Sequence, residues 1–177
     1  MEYKRLYIAY GSNIDLNQMA YRCPNSKVVK TDMLEDYKLE FRGVATIVPK
    51  KGSQVPVLLW EIDQRDELNL DKYEGFPNSY RKELFEIEVD GKKVEGMAYL
   101  MNYGSISPPS MAYYSGIMKG YRQNNMDVSY LETALKNSYS HFFSDEYESL
   151  DVHENIEEDE DFDEAFYAED NPFQLKF

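Results

Sequence analysis

Two short segments hold the residue types that could do chemistry on a small molecule. The first, Tyr10-Gly11-Ser12-Asn13, follows the apolar run Leu6-Tyr7-Ile8-Ala9. The second is Leu70-Asp71-Lys72-Tyr73-Glu74-Gly75-Phe76-Pro77-Asn78-Ser79-Tyr80. A strand that breaks into a glycine turn offers backbone N–H donors to an anion. Gly11 accepts φ > 0 and lets a ligand approach the main chain. Asn13 tolerates a left-handed conformation and bonds locally. If Asp15 opens a helix, the preceding N–H groups form an anion-friendly nest. Glu74 supplies an isolated carboxylate at the end of a predicted helix, where the dipole disfavours negative charge. Desolvation by Tyr73, Phe76 and Tyr80 would raise its pKa, and a glutamate tuned upward is a usable general base. An anion-holding turn plus one carboxylate is a minimal kit for moving a proton on a small substrate.

Each segment alone also has an ordinary explanation. Short glycine motifs are weak signals, and a helix-end glutamate is usually just exposed. Other constellations fail. His141 and His153 are too few and too distant from Cys23 for a zinc set. Ser12 lacks the G-x-S-x-G surroundings of a nucleophile. There is no G-x-G-x-x-G and no Walker loop, so no nucleotide, metal or redox cofactor is expected. Tyr80, Tyr99 and Tyr113 are each able to donate a hydrogen bond to a substrate or to Glu74, and each equally suits a core or rim.

The elements that must position these residues can be read from periodicity. Arg5 to Tyr10 reads as a buried strand, and Asp15 to Tyr21 as a short helix with Asp15 as its cap. Tyr37 to Phe41 alternates as a strand. Ala45 to Val48 and Val55 to Ile62 read as two further strands separated by Pro49-Lys50-Lys51-Gly52-Ser53, with Pro56 marking an edge or bulge. Gln64 to Tyr73 is a predicted helix that Gly75 and Pro77 end. Lys82 to Val89, Asp90-Gly91 and Lys93 to Met101 form a strong hairpin signal. Helices are predicted over Met111 to Tyr121 and Tyr130 to Ser140. Strands first and helices later is an α+β pattern. The expected architecture is a small mixed sheet, curled into a barrel, with helices packed outside.

Composition bounds the rest. A chain of 177 residues with 42% hydrophobic and 15% aromatic content can bury a real core. The net charge of −14 is unevenly placed: residues 145–177 carry 14 Asp and Glu against one Lys. The body, 1–144, is therefore near neutral, and residues 145–177 read as an acidic C-terminal extension. No basic patch argues for nucleic acid. Cys23 is the only cysteine, so no intrachain disulfide forms. No apolar run reaches signal-peptide or membrane-spanning length, and a cytoplasmic location is expected.

At this point the residues resemble a known family. Tyr10-Gly11-Ser12-Asn13 after its strand looks like the substrate-binding loop of the γ-glutamylcyclotransferases, the AIG2-like group. Tyr73-Glu74-Gly75 followed by Tyr80 is similar to that family's catalytic glutamate segment. Gly43-Val44-Ala45-Thr46-Ile47 and Val55 to Trp60 resemble its barrel strands. Tyr99-Leu100-Met101 and Pro108-Pro109-Ser110-Met111-Ala112-Tyr113 resemble its last strand and following helix. The likeness spans roughly Leu6 to Ser138. It departs at Val57, where family members often carry glycine, and after Asp145.

The resemblance implies cyclisation of a γ-glutamyl group to 5-oxoproline with release of an amine or amino acid, without a cofactor. Glu74 is then the general acid/base. Tyr10, Gly11, Ser12, Asn13, Tyr80, Tyr99 and Tyr113 are the expected substrate-binding residues. The competing reading is a non-catalytic binding module on the same fold. In that reading the acidic extension, interleaved with Phe162, Phe166, Tyr167 and Phe173, meets a basic protein partner.

Overall fold

The computed structural model describes residues 3–150, with side chains described as far as Ser144. The acidic extension therefore lies almost wholly outside the described residues. Five strands, β1 (Arg5–Ala9), β2 (Lys27–Phe41), β3 (Ala45–Ile62), β4 (Tyr80–Val89) and β5 (Lys92–Met101), form one sheet in the order β2-β3-β1-β5-β4. The pair β1/β5 is parallel, with Leu6 opposite Gly96, and the other neighbours are antiparallel. The sheet is mixed, as expected, but it is open: β2 and β4 are free edges among the described residues. The expected curl into a closed barrel does not occur.

Two strands differ from expectation for a physical reason. Residues 27–36 lack the alternation of a half-buried strand because β2 is an edge whose side chains stay mostly in solvent. The segment Lys50 to Ser53 is a bulge and not a connector. Pairing runs from Tyr37 opposite Pro49 to Glu35 opposite Gln54, and Asp36 Oδ1 accepts the Gly52 N–H at 2.7 Å. The two expected strands are thus one. Pro56 lies beyond Leu58, where pairing with β1 stops, so β3 is flanked there by β2 alone.

The helices are α1 (Leu16–Arg22), α2 (Gln64–Glu74), α3 (Met111–Gln123) and α4 (Ser129–Leu150). On α3 the buried residues include Tyr114, Ile117, Met118 and Tyr121, and on α4 Leu131, Ala134, Leu135 and Ser138. Both sets follow the i, i+3, i+4, i+7 spacing of one helix face. Their apolar members join the cluster that holds Ile8, Phe41, Leu58, Leu59 and Met97. The C-terminal end of α3 also secures the turn after β1. Asn124 Nδ2 donates to the Ile14 carbonyl at 3.0 Å, and Gln123 Oε1 accepts the Leu16 N–H at 3.0 Å.

Candidate active site

Parallel neighbours end on the same side of a sheet, so the C-terminal ends of β1 and β5 emerge together. A pocket of about 240 Å³ opens there. It is lined by Tyr7, Tyr10, Gly11, Ser12 and Asn13 from β1 and its turn, and by Val44 and Ala45 at the start of β3. Tyr73 and Glu74 close it from α2, with Tyr80, Tyr99 and Tyr113 from β4, β5 and α3. All eight residues expected from the sequence come to one place. Glu74 is the sole carboxylate of the lining, and no Lys or Arg lines the pocket.

The turn is built locally. Tyr10 leaves the strand, and Ser12–Ile14 form a single 3₁₀ turn. Asp15 then caps α1, its Oδ1 accepting the Asn17 N–H at 2.8 Å and the Gln18 N–H at 3.2 Å. Gly11 has φ −114°, so its backbone is not left-handed, contrary to one expectation. Glycine is needed because of close approach: a Cβ there would lie 3.3 Å from Ala45 Cβ and 3.4 Å from the Tyr113 hydroxyl. Asn13 is not left-handed either. It serves through its side chain.

Glu74 is the last residue of α2, and Gly75 ends the helix in the left-handed region at φ 66°. Asn13 Nδ2 donates to Glu74 Oε1 at 3.0 Å and to the Tyr7 hydroxyl at 2.8 Å. Burial raises the Glu74 carboxyl to about 7, while the Arg22 charge and the Asn13 hydrogen bond pull it back toward ionisation. Among the described residues Glu74 has no ion-pair partner; the salt bridges lie elsewhere, for example Lys82 with Asp71 at 2.7 Å. Phe76, expected to help desolvate Glu74, does not line the pocket. It is exposed, with the Lys82 ammonium 4.6 Å from its ring centroid.

The tyrosines divide by what their hydroxyls do. Tyr10 donates to the Tyr99 carbonyl, and Tyr99 donates to Asp71 Oδ1 at 2.5 Å. Both therefore contribute mainly rings to the lining. The Tyr80 hydroxyl leans toward the Ala45 carbonyl at 3.4 Å. Tyr113 accepts the Ala45 N–H at 3.1 Å, and Tyr7 accepts from Asn13. An accepting phenol keeps its own hydrogen for another partner. Burial holds both phenols well above their usual pKa, Tyr113 at about 12.

Tyr7, Val44, Ala45 and Tyr73 were not among the expected lining residues. Tyr7 is indistinguishable from core in an apolar run, and it is indeed only 3% exposed. Arg22, next to the pocket, also carried no sequence signal. The Ser12 hydroxyl stands 3.2 Å from that of Tyr73 and accepts from Arg22 Nη1 at 3.1 Å. Neither neighbour is a base.

An open mixed sheet thus carries a tyrosine-walled pocket around one raised carboxyl, and comparison with known proteins supplies the family. The chain belongs to the gamma-glutamyl cyclotransferase, AIG2-like family, whose sequence model matches residues 7–120. Gamma-glutamylcyclotransferase of Bos taurus is 30% identical over 164 residues, covering 82% of this chain and 86% of the relative. The Mus musculus protein of the same name is 29% identical over 163 residues, with the same coverage. A solved structure described as a gamma-glutamyl cyclotransferase superposes with a TM-score of 0.67 at 26% identity, covering 74% of this chain and 86% of that one. An uncharacterized Homo sapiens protein shares the fold, with a TM-score of 0.68 at 23% identity over 94% of this chain and all of its own length. Among the described residues no helix is long and apolar enough to cross a membrane.

Proposed function

We propose that this chain cyclises a γ-glutamyl group to 5-oxoproline and releases an amine or amino acid, with Glu74 as general acid/base. The observation that carries this reading is a single pocket carboxylate, without an ion-pair partner among the described residues, whose burial raises it to about 7. A base of that strength is half ionised near neutrality and can accept and return a proton.

The chemistry is intramolecular. Glu74 takes a proton from the substrate α-ammonium. The freed amine attacks the γ-carbonyl carbon, a C–N bond forms, and the carbonyl oxygen becomes an oxyanion. Collapse breaks the bond to the leaving nitrogen, which receives the proton held on Glu74. The ring nitrogen, left with a surplus proton by the attack, gives it to the freed Glu74 carboxylate, which passes it to the released amine. No protein nucleophile and no cofactor is required, because holding the chain folded in an attack geometry supplies much of the rate. The N–H groups heading the Gly11-Ser12-Asn13 turn and the hydroxyls of Tyr7 and Tyr113 are donors suited to the oxyanion or to the substrate carboxylate.

The test is 5-oxoproline release from a panel of γ-glutamyl amino acids, γ-glutamyl amines and glutathione. Release from at least one member is expected, and the ranking identifies the leaving group. Binding of these compounds without release from any of them would favour the binding module.

A further inference from the structure

Arg22 closes α1 beside the pocket without lining it. Its Nη1 donates to Asn13 Oδ1 at 2.6 Å and to Ser12 Oγ at 3.1 Å, and its Nη2 to Gln18 Oε1 at 2.6 Å. Its Cζ lies 3.6 Å from the centroid of the Tyr73 ring. Asn69 Nδ2 anchors the Arg22 carbonyl at 3.0 Å. The guanidinium is thus held by neutral groups and one ring. Among the described residues no carboxylate pairs with it directly. Its charge is left to act on Glu74 across space, and its hydrogen bond acts on Asn13.

A guanidinium only donates. It must take the oxygen end of the Asn13 amide, which obliges the nitrogen end to face Glu74 and Tyr7. The main chain of Asn13 cannot swing to relax this, because Trp60 Nε1 donates to its carbonyl at 3.1 Å. A reversed amide would set two oxygens, Oδ1 and the Glu74 carboxylate, against each other and would accept the Tyr7 hydrogen.

We propose that Arg22 is a positioning residue of this site: it fixes the direction of the chain Arg22→Asn13→Glu74, so the carboxylate always meets a donor and Tyr7 keeps its hydrogen for the pocket. Its consequence for turnover rests on the cyclotransferase reading, whereas its effect on Glu74 does not. The groups facing Glu74 are Tyr7 of β1, Tyr10 just after it, Arg22 of α1, Tyr73 of α2, Tyr80 of β4, Tyr99 of β5 and Tyr113 of α3. Arg22 is the single cation among them, and burial raises the phenols of Tyr7, Tyr10, Tyr80, Tyr99 and Tyr113. Without Arg22, the Asn13 hydrogen bond alone opposes the burial of Glu74.

The test follows the Glu74 carboxyl by carbon-13 NMR titration, assigned by its disappearance in Glu74→Gln, together with the pH profile of kcat/KM. In Arg22→Ala the midpoint should rise by about one pH unit, and the acid limb of the profile should move with it. The kcat should fall about tenfold with KM little changed, and Arg22→Lys, which keeps the charge, should recover part of the loss. An unmoved midpoint overturns the proposal, even if activity falls. If Arg22→Ala does not fold, Arg22→Gln removes the charge at similar length and carries the same test. Absence of 5-oxoproline from the wild type leaves the titration readable, so the two readings fail separately.

Discussion

Asn13 Nδ2 and Glu74 Oε1 stand 3.0 Å apart although 61 positions separate the residues in the chain. This bond joins the turn after β1 to the last residue of α2. It gives the carboxylate one fixed donor in a site whose burial otherwise favours the protonated form. Activity should therefore rise with pH through about 7, as Glu74 ionises. Asn13→Ala removes the donor, so the acid limb should shift to higher pH and kcat/KM should drop by about tenfold or more. The pH profile of kcat/KM for the two proteins checks this.

The same burial makes a stability prediction with a defined sign. An unfolded glutamate ionises near 4.5, while folded Glu74 holds its proton to about 7. Below 4.5 both states are protonated and nothing is lost. Between 4.5 and 7 the unfolded chain releases its proton and the folded chain does not, so stability falls as pH rises. Above 7 the cost is complete, up to about 3 kcal/mol. Glu74→Gln has no such cost. It should melt above the wild type at pH 8 and with it at pH 4.

Gly11→Val probes the turn. The new side chain would crowd Ala45 and Tyr113, which it meets at 3.3 and 3.4 Å already at Cβ. Both neighbours line the pocket, so the fold should survive while affinity for a γ-glutamyl ligand falls by about tenfold or more. Calorimetric titration beside a thermal melt separates the two effects. Retained affinity would argue against a binding turn here.

Two tyrosines of the lining should behave differently. Tyr99 gives its hydroxyl to Asp71 at 2.5 Å, so Tyr99→Phe should cost about 1–2 kcal/mol of stability and little activity. Tyr113 keeps its hydroxyl hydrogen while its oxygen accepts the Ala45 N–H, so Tyr113→Phe should lower kcat/KM by about tenfold as well as costing about 1–2 kcal/mol of stability. Denaturant unfolding and steady-state kinetics on both variants read this contrast.

Some of this was legible in the sequence and some was not. The hairpin at Asp90-Gly91, the end of α2 at Gly75 and the cap at Asp15 were readable because local geometry selects those residues. The eight lining residues were readable through the family resemblance, since no single tetrapeptide singles them out. The first ten residues of β2 were not, because an edge strand need not alternate. Barrel closure was expected from a strand-rich first half and from the resemblance to barrel strands, and the open order β2-β3-β1-β5-β4 overturns that. Arg22 left no trace because its role depends on a stack against Tyr73, which periodicity cannot show.

The claim at the centre is that the Glu74 carboxylate moves the proton, and Glu74→Gln tests it most directly. The variant keeps size and polarity. Its rate of 5-oxoproline formation should fall by about 10²–10⁴-fold, while a γ-glutamyl ligand still binds by calorimetry and the fold still melts cooperatively. A Glu74→Gln protein that turns over near the wild-type rate would contradict the account.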